Sequence, residues 1–493
     1  MGGMSTEAED QTAGRVIEGL FGPQEAQAAK PPERGRGRPR LRCADRQQVV
    51  MRHGPLDALL AEDHPARLVW RYVESMDLEP LYRMIQAVEG EAGRPTTDPK
   101  ILLALWLYAT TEAVGSARRL TELCQDHAAY QWICGGVGMN PHTLADFRVE
   151  HGEFLDTLLS DTVAALVHEG LVSLERVAQD GVRVRASAGA ASFRRAATLE
   201  ECQAQAGEQV RQLRKELESD PGATSQRQKG ARERAARERL ERVQRALGQA
   251  RELEKKRQEQ APKQAPAQAH GEDQEPGAGP GAPGPEKKEE KKPKEPRAST
   301  TDPEARVMKM ADGGFRPAFN VQFATDTASQ IITGVDASNS GSDHGQMSPM
   351  VQQHQDRYGQ RPGQVLVDGG FAALADIEKV SAPEVGVEVF APVQKPRKPG
   401  QDPFQRRPGD SDLIAAWRAR MGTQQAKEVY KERAATAECV NAQARNRGLR
   451  QFLVRGLEKV RSVALWLALA HNLVRAAALR AEAALRALVA VVS

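Results

Sequence analysis

The feature that most constrains this chain is an interruption in its middle. RVAQDGVRVRASA, residues 176–188, alternates apolar and polar side chains as a half-buried strand does. The next strand-like stretch begins only after Pro303. Between the two, residues 199–258 are dense in charge, with apolar residues three or four apart at Val210, Leu213 and Leu217 and again at Leu240, Val243, Leu247 and Ala250. That spacing predicts two helices, broken at Asp220-Pro221-Gly222 and paired as an antiparallel coiled coil. Residues 259–300 follow with a Pro-, Gly- and charge-rich composition that cannot bury a core and is expected to be disordered. Any sheet that uses the strand at 176 is therefore assembled across a long insertion.

After the interruption, FRPAFNVQFATDT and QIITGVDAS read as consecutive strands, HGQMSPMVQQHQDRYG as a helix and PGQVLVDGG as a short strand ending in an acid. LADIEKVSA is helical, GVEVFAPV is a further strand, 395–411 is a polar loop, and from Asp412 onward the chain is helical. Strands alternating with helices predict an α/β domain with a mixed sheet, built from 173–198 and 301–475, with 476–493 as a C-terminal helix. Residues 49–172 read as a separate all-α domain, expected to bind DNA. Asp98-Pro99 caps one of its helices, Thr143 with Asp146 caps another, and Gly170 stops the last. Residues 1–48 are expected to be a disordered basic tail.

Charge suggests the partner. The net charge is only +3, but Lys30–Arg42 carries six Lys/Arg against one Glu, and 395–461 carries 16 Lys/Arg against seven Asp/Glu. Basic segments in a near-neutral chain suit a polyanion, although solvated surface has the same composition. Arg36, Arg38 and Arg40 lie in RGRPR, which has the form of a minor-groove hook. Five scattered cysteines argue against a disulfide framework. No apolar run approaches the ~18 residues of a membrane span, and no GxxxxGK loop is present for a nucleotide. A cytoplasmic protein is the expectation.

Asp180 follows a strand-like run, and Asp368 ends VLVD before Gly369-Gly370. A sheet can fix such acids for metal binding, but Asp-Gly after a strand is also a plain turn. Glu438 and Arg445 are seven apart on a basic helical stretch that also holds Tyr430 and Arg433.

Together these segments resemble a known family. DHPARLVWRYVESMDLEPLY, GRPTTDPKILLALWLYAT, SARRLTELC, WICGGV, HTLADFR, AQDGVRVRASA, PAFNVQFATDT, VLVDGGF, YKERAATAECVNAQARNRGLRQFLVRG and LALAHNL occur in order from about Pro55 to Arg475. They are similar to the Asp-Asp-Glu transposases of bacterial insertion sequences, in particular the branch numbered eleven-eighty-two. The resemblance implies an RNase H-like catalytic domain with Asp180, Asp368 and Glu438 as metal-holding catalytic acids. It implies Mg²⁺, or Mn²⁺ as a substitute. The implied partner is double-stranded DNA, both terminal inverted repeats and target, bound by a homodimer at the nucleoid. A Tyr-Arg-Glu-Lys signature would make Tyr430, Arg433 and Arg445 auxiliary phosphate contacts. Two departures stand out: four residues rather than three separate Arg433 from Glu438, and Arg445 replaces lysine. A structure-directed nuclease on the same fold and a catalytically lapsed DNA-binding descendant are the alternatives.

Overall fold

A computed structural model describes residues 54–88, 90, 95–219, 223–260, 295–396 and 400–492, with two short strands nearer the N-terminus. The chain divides into two compact units, Met1–Gly54 and Pro55–Ser493. In the first, β1 (Val16–Gly19) pairs antiparallel with β2 (Gly22–Glu25), so the tail expected to be disordered contains a hairpin. Arg36, Arg38 and Arg40 lie outside the described residues.

The second unit begins with helices. Pro99–Thr111 starts at its expected cap, where the Asp98 carboxylate accepts from the Lys100 amide and Pro99 occupies the first turn. The cap of Pro141–Glu150 is Asn140, whose side chain accepts from the His142 amide, and not Thr143. The chain then bends at His151 before Gly152–His168. Gly170 ends the second in the left-handed region at φ +71°.

Leu457–Val492 runs as one helix and removes the boundary expected at 476. It also corrects the reading that nothing here is apolar enough for a membrane: Leu457–Ala490 has the length and composition of a span. Of its most apolar window, 72% is buried inside the fold. Its Val463, Leu465, Trp466 and Leu469 pack in one core with Leu103 and Leu159 from the helical segment and with Val182, Phe319 and Phe323 from the sheet. The all-α segment is thus not a separate domain. It shares its core with one face of the sheet, and Trp466 Nε1 donates to the Arg148 carbonyl to join them.

Six strands form that sheet: β3 (Arg176–Arg185), β6 (Arg306–Lys309), β7 (Phe315–Asp326), β8 (Ile332–Ser338), β9 (Gln364–Leu366) and β10 (Glu388–Phe390). The order is β10-β9-β3-β7, with β6 and β8 sharing the far edge of β7. β3 pairs antiparallel with β7 from Val177↔Asp326 to Arg185↔Ala318, whereas β9 runs parallel to β3 and β10 parallel to β9. The second face is covered by Met347–Tyr358, Leu374–Ser381 and Asp412–Gly422 through Val351, Ile377 and Trp417. Helices on both faces explain why β7 is buried along nearly all its length.

The insertion is the expected helical hairpin, Ala196–Ser219 against Ala223–Gln260. Val210, Val243, Leu247 and Ala250 are buried along the seam, and the buried Glu233 carboxylate is paired by Arg214 and Arg237. Its two ends meet where β4 (Phe193–Arg194) pairs with β5 (Ala298–Ser299). Residues 298–300 therefore belong to the fold and not to the disordered stretch, because the insertion must close before the sheet resumes; residues 261–294 lie outside the described residues.

Candidate active site

The sheet brings the first two acids level. Ala178 of β3 is paired with Leu366 of β9, and these strands are parallel. Asp180 and Asp368 each lie two residues farther on. Side chains alternate with a period of two, so both acids emerge on one face at one height. Asp180 Oδ1 accepts from the Gly181 amide at 2.9 Å and Oδ2 from Asn441 Nδ2 at 3.0 Å. Asp368 Oδ1 accepts from the Gly370 amide at 2.8 Å, so the glycine turn after the strand holds this acid in place.

The third acid arrives on an irregular helix. Gln424–Arg433 passes into a π-helical turn, Ala434–Glu438, and then into Cys439–Asn446. A π turn carries one residue more than an α turn and returns the chain to the same side. This absorbs the extra residue between Arg433 and Glu438 and restores their shared face. Arg433 Nη1 lies 3.5 Å from Glu438 Oε1, while its Nη2 lies 3.7 Å from Asp180 Oδ2 and 3.9 Å from Asp368 Oδ2. One guanidinium therefore touches all three carboxylates. Sharing that neighbour keeps the two aspartate oxygens within the ~8 Å that a two-metal site spans.

A fourth acid, which sequence reasoning did not single out, borders the group. Asp343 Oδ1 accepts from Asn320 Nδ2 at 2.6 Å and Gln322 Nε2 at 2.8 Å, and Oδ2 lies 3.5 Å from Arg183 Nη2. A Cβ at Gly181 would fall on this carboxylate and 2.5 Å from Gln322 Nε2. The glycine after Asp180 thus leaves room for Asp343. Asn441 was also missed, although its place one turn after Glu438 was a signal; Asp343, in a polar loop, had none. Burial, together with the charges of Asp368 and Asp343, pushes the Asp180 carboxyl up to about 6 against the opposing pull of Arg433. Tyr430, half-buried beside Arg433, is held above its usual phenol value, mainly by burial.

The donor chemistry suits a hard divalent cation. All three acids offer oxygen, and the buried Asn441 Oδ1 has no partner. The spacing is that of a guanidinium-filled site: among the described residues no three acids or other ligands stand close enough to share one ion. Holding a metal therefore requires Arg433 to yield its central position. Arg445 lies apart from this ion-pair set. It lines a shallow groove of about 290 Å³ with Arg183, Arg185, Arg316 and Arg450.

Two family comparisons match. Residues 55–150 match the Transposase domain (DUF772), and residues 399–477 match the Transposase DDE domain. The first covers the helical segment, and the second covers Arg433, Glu438 and the start of the long C-terminal helix. No curated protein and no solved structure matches.

Proposed function

The chain belongs to the DDE-type transposases of insertion sequences, and from that premise we propose that Asp180, Asp368 and Glu438 are its catalytic acids, cleaving DNA at the element's ends and joining those ends to target DNA. The observation that carries this reading is the Arg433 guanidinium within 3.9 Å of all three carboxylates. Three acids far apart in sequence converge here on one cation, as carboxylates gathered to hold a metal would. The strand order, with parallel strands on one side of β3 and antiparallel strands on the other, supports an RNase H-like reading of the sheet. The ordered motifs support the eleven-eighty-two branch.

Two displacements would complete the reaction. Water attacks the phosphorus at the element's end, the P–O3′ bond breaks, and the departing oxygen takes a proton to become a 3′-OH. That 3′-OH then attacks a target phosphodiester, a new P–O bond forms, and the target's 3′ oxygen leaves protonated. No covalent protein intermediate is needed. Mg²⁺, with Mn²⁺ as a substitute, would activate the attacking oxygen and neutralise the leaving one, held by Asp180, Asp368 and Glu438. Gly181 and Asn441 orient Asp180, and the Gly370 amide orients Asp368. Arg433, displaced from the acids, would meet the scissile phosphate, with Tyr430 and Arg445 as flanking contacts. The partners are duplex DNA with terminal inverted repeats and target DNA, engaged by a homodimer at the bacterial nucleoid.

The test uses duplexes that carry the inverted repeats flanking the gene. Wild-type protein should nick and join them with Mg²⁺. Asp180→Ala, Asp368→Ala and Glu438→Ala should each lose both steps and keep DNA binding, which comes mainly from phosphate contacts. Cleavage without joining would instead identify a nuclease, and cleavage by any one variant would remove that residue from the site.

A further inference from the structure

A second charge imbalance lies away from the acids. A cleft of about 420 Å³ opens between the helical segment and the turn before the C-terminal helix. Arg119, Arg148, Arg447 and Arg450 line it, and no Asp or Glu does. Gly448, at φ +95°, lets this turn close against the Ala113 carbonyl, which brings the two segments together.

Among the described residues, Arg148, Arg447 and Arg450 form no ion pair. Arg148 is held by neutral groups only. Its Nη1 donates to the Gly115 carbonyl, its guanidinium lies 4.6 Å from the Trp106 ring centre, and its buried Nε has no partner. Arg447 Nη1 meets His471 Nδ1 at 3.1 Å. Burial alone pulls Arg148 down to about 10 and lowers Arg447 as well, with no acid to offset it. Taking a cation out of water without a counter-charge is costly. Arg148 and Arg447 are two such groups at the edge of an open cleft, with the exposed Arg450 beside them, and an anion entering the cleft would compensate both.

We propose that this cleft binds a phosphodiester of the DNA backbone, gripped by Arg148 and Arg447 and closed by Arg450. The assignment to DNA rests on the transposase reading; the demand for an anion does not. Its placement favours DNA, because Leu449 and Arg450 also line the groove that holds Arg183, Arg185 and Arg445. Arg183 in turn lies 3.5 Å from Asp343, beside Asp180. A line of guanidiniums thus leads from the cleft to the acids, the form of a backbone track.

The experiment uses the full chain and two readouts. Fluorescence anisotropy of a labelled duplex across a salt series should give a log–log slope that falls by about one in Arg447→Gln and in Arg450→Gln. Arg245→Gln, an exposed cation on the helical hairpin with no ion pair among the described residues, should keep the wild-type slope. Melting in inorganic phosphate against chloride at equal ionic strength should show protection in wild type that Arg447→Gln loses. Arg148→Gln removes packing against Trp106 as well as charge, so the exposed Arg450 carries the decisive variant. Wild-type slopes in both Arg447→Gln and Arg450→Gln overturn the proposal, as does an equal loss in Arg245→Gln. Phosphate protection with unchanged slopes means a free-anion site and overturns the DNA assignment. If duplexes are never cut while the slopes change as expected, the catalytic reading fails and the cleft stands.

Discussion

The acid site and the arginine cleft are two unbalanced charge clusters of opposite sign within one unit. At the first, Asp180, Asp368 and Glu438 converge on one guanidinium, so a cation already stands among the acids. At the second, four arginines line a cavity that no carboxylate enters. In the proposed reaction the first would exchange its cation, with Arg433 turning from the acids to a phosphate. The second can only acquire a counter-charge from outside. The difference separates the two tasks of a DNA-processing enzyme: reversible charge compensation where bonds change, and fixed positive charge where the strand is held.

The largest effect should come from the phase of the helix that carries Glu438. Inserting one Ala after Ala435 turns the following residues by ~100° and should cost at least about a hundredfold in cleavage, the scale of a lost transition-state contact. Deleting Ala435 should do far less. It converts the π turn to a regular α turn with Glu438 four residues after Arg433, which keeps the two side chains on one face. Cleavage assays of both variants, with circular dichroism for folding, test this. A dead deletion variant with intact helix content would show that the π turn itself is needed.

This helix also marks how far the sequence could be read. Asp368 was legible as the acid that ends VLVD, and Asp180 as an acid after an apolar run, although it lies mid-strand in Arg176–Arg185; the pairing of the two strands then places them level. The extra residue before Glu438 was legible as a departure, but its resolution as a π turn depends on packing. Asp343 was not legible, since its role comes from Asn320 and Gln322 on a strand 20 residues or so away and from the missing Cβ of Gly181. The helical segment was correctly seen as helical and wrongly seen as separate. An apolar face shows that it needs a partner without naming which, and here the partner is the C-terminal helix.

Gly181→Ala tests the crowding around the acids. Its new methyl must displace Asp343 or Gln322, and overpacking of this kind costs about 1–3 kcal/mol. Cleavage should fall with it, because Asp180 is the neighbouring residue, whereas the DNA-binding salt slope should stay at the wild-type value. A Tm equal to wild type would show that the neighbours yield freely.

Asp180→Asn should separate stability from activity. A carboxyl raised to about 6 holds extra protons in the folded state between its ordinary value and about 6, so the fold gains stability as pH falls through that window. Above it, the ionised group is a penalty. In chelator-containing buffer the variant should therefore melt about 1–3 °C above wild type at pH 7.5, with the gap closing toward pH 5. A gap that is absent or that widens on acidification would mean Arg433 outweighs burial and the neighbouring acids.

The smallest expected effect lies at the cleft. Among the described residues Glu122 is the one acid paired with a cleft arginine, 2.9 Å from Arg119, and both side chains are 59% exposed. Such a pair is worth only about 0.2–1 kcal/mol. Glu122→Gln should leave Tm nearly unchanged and free Arg119 for phosphate, tightening duplex binding by less than about fivefold at low salt. The gain should fade as salt rises, because the freed cation acts on an exposed, screened contact. Anisotropy on one duplex at two salt concentrations reads both points. Weaker binding in Glu122→Gln would mean that the acid orients Arg119 toward the strand, and the contrast between an acid-rich site and an acid-free cleft would then have to admit Glu122 as a working part of the second.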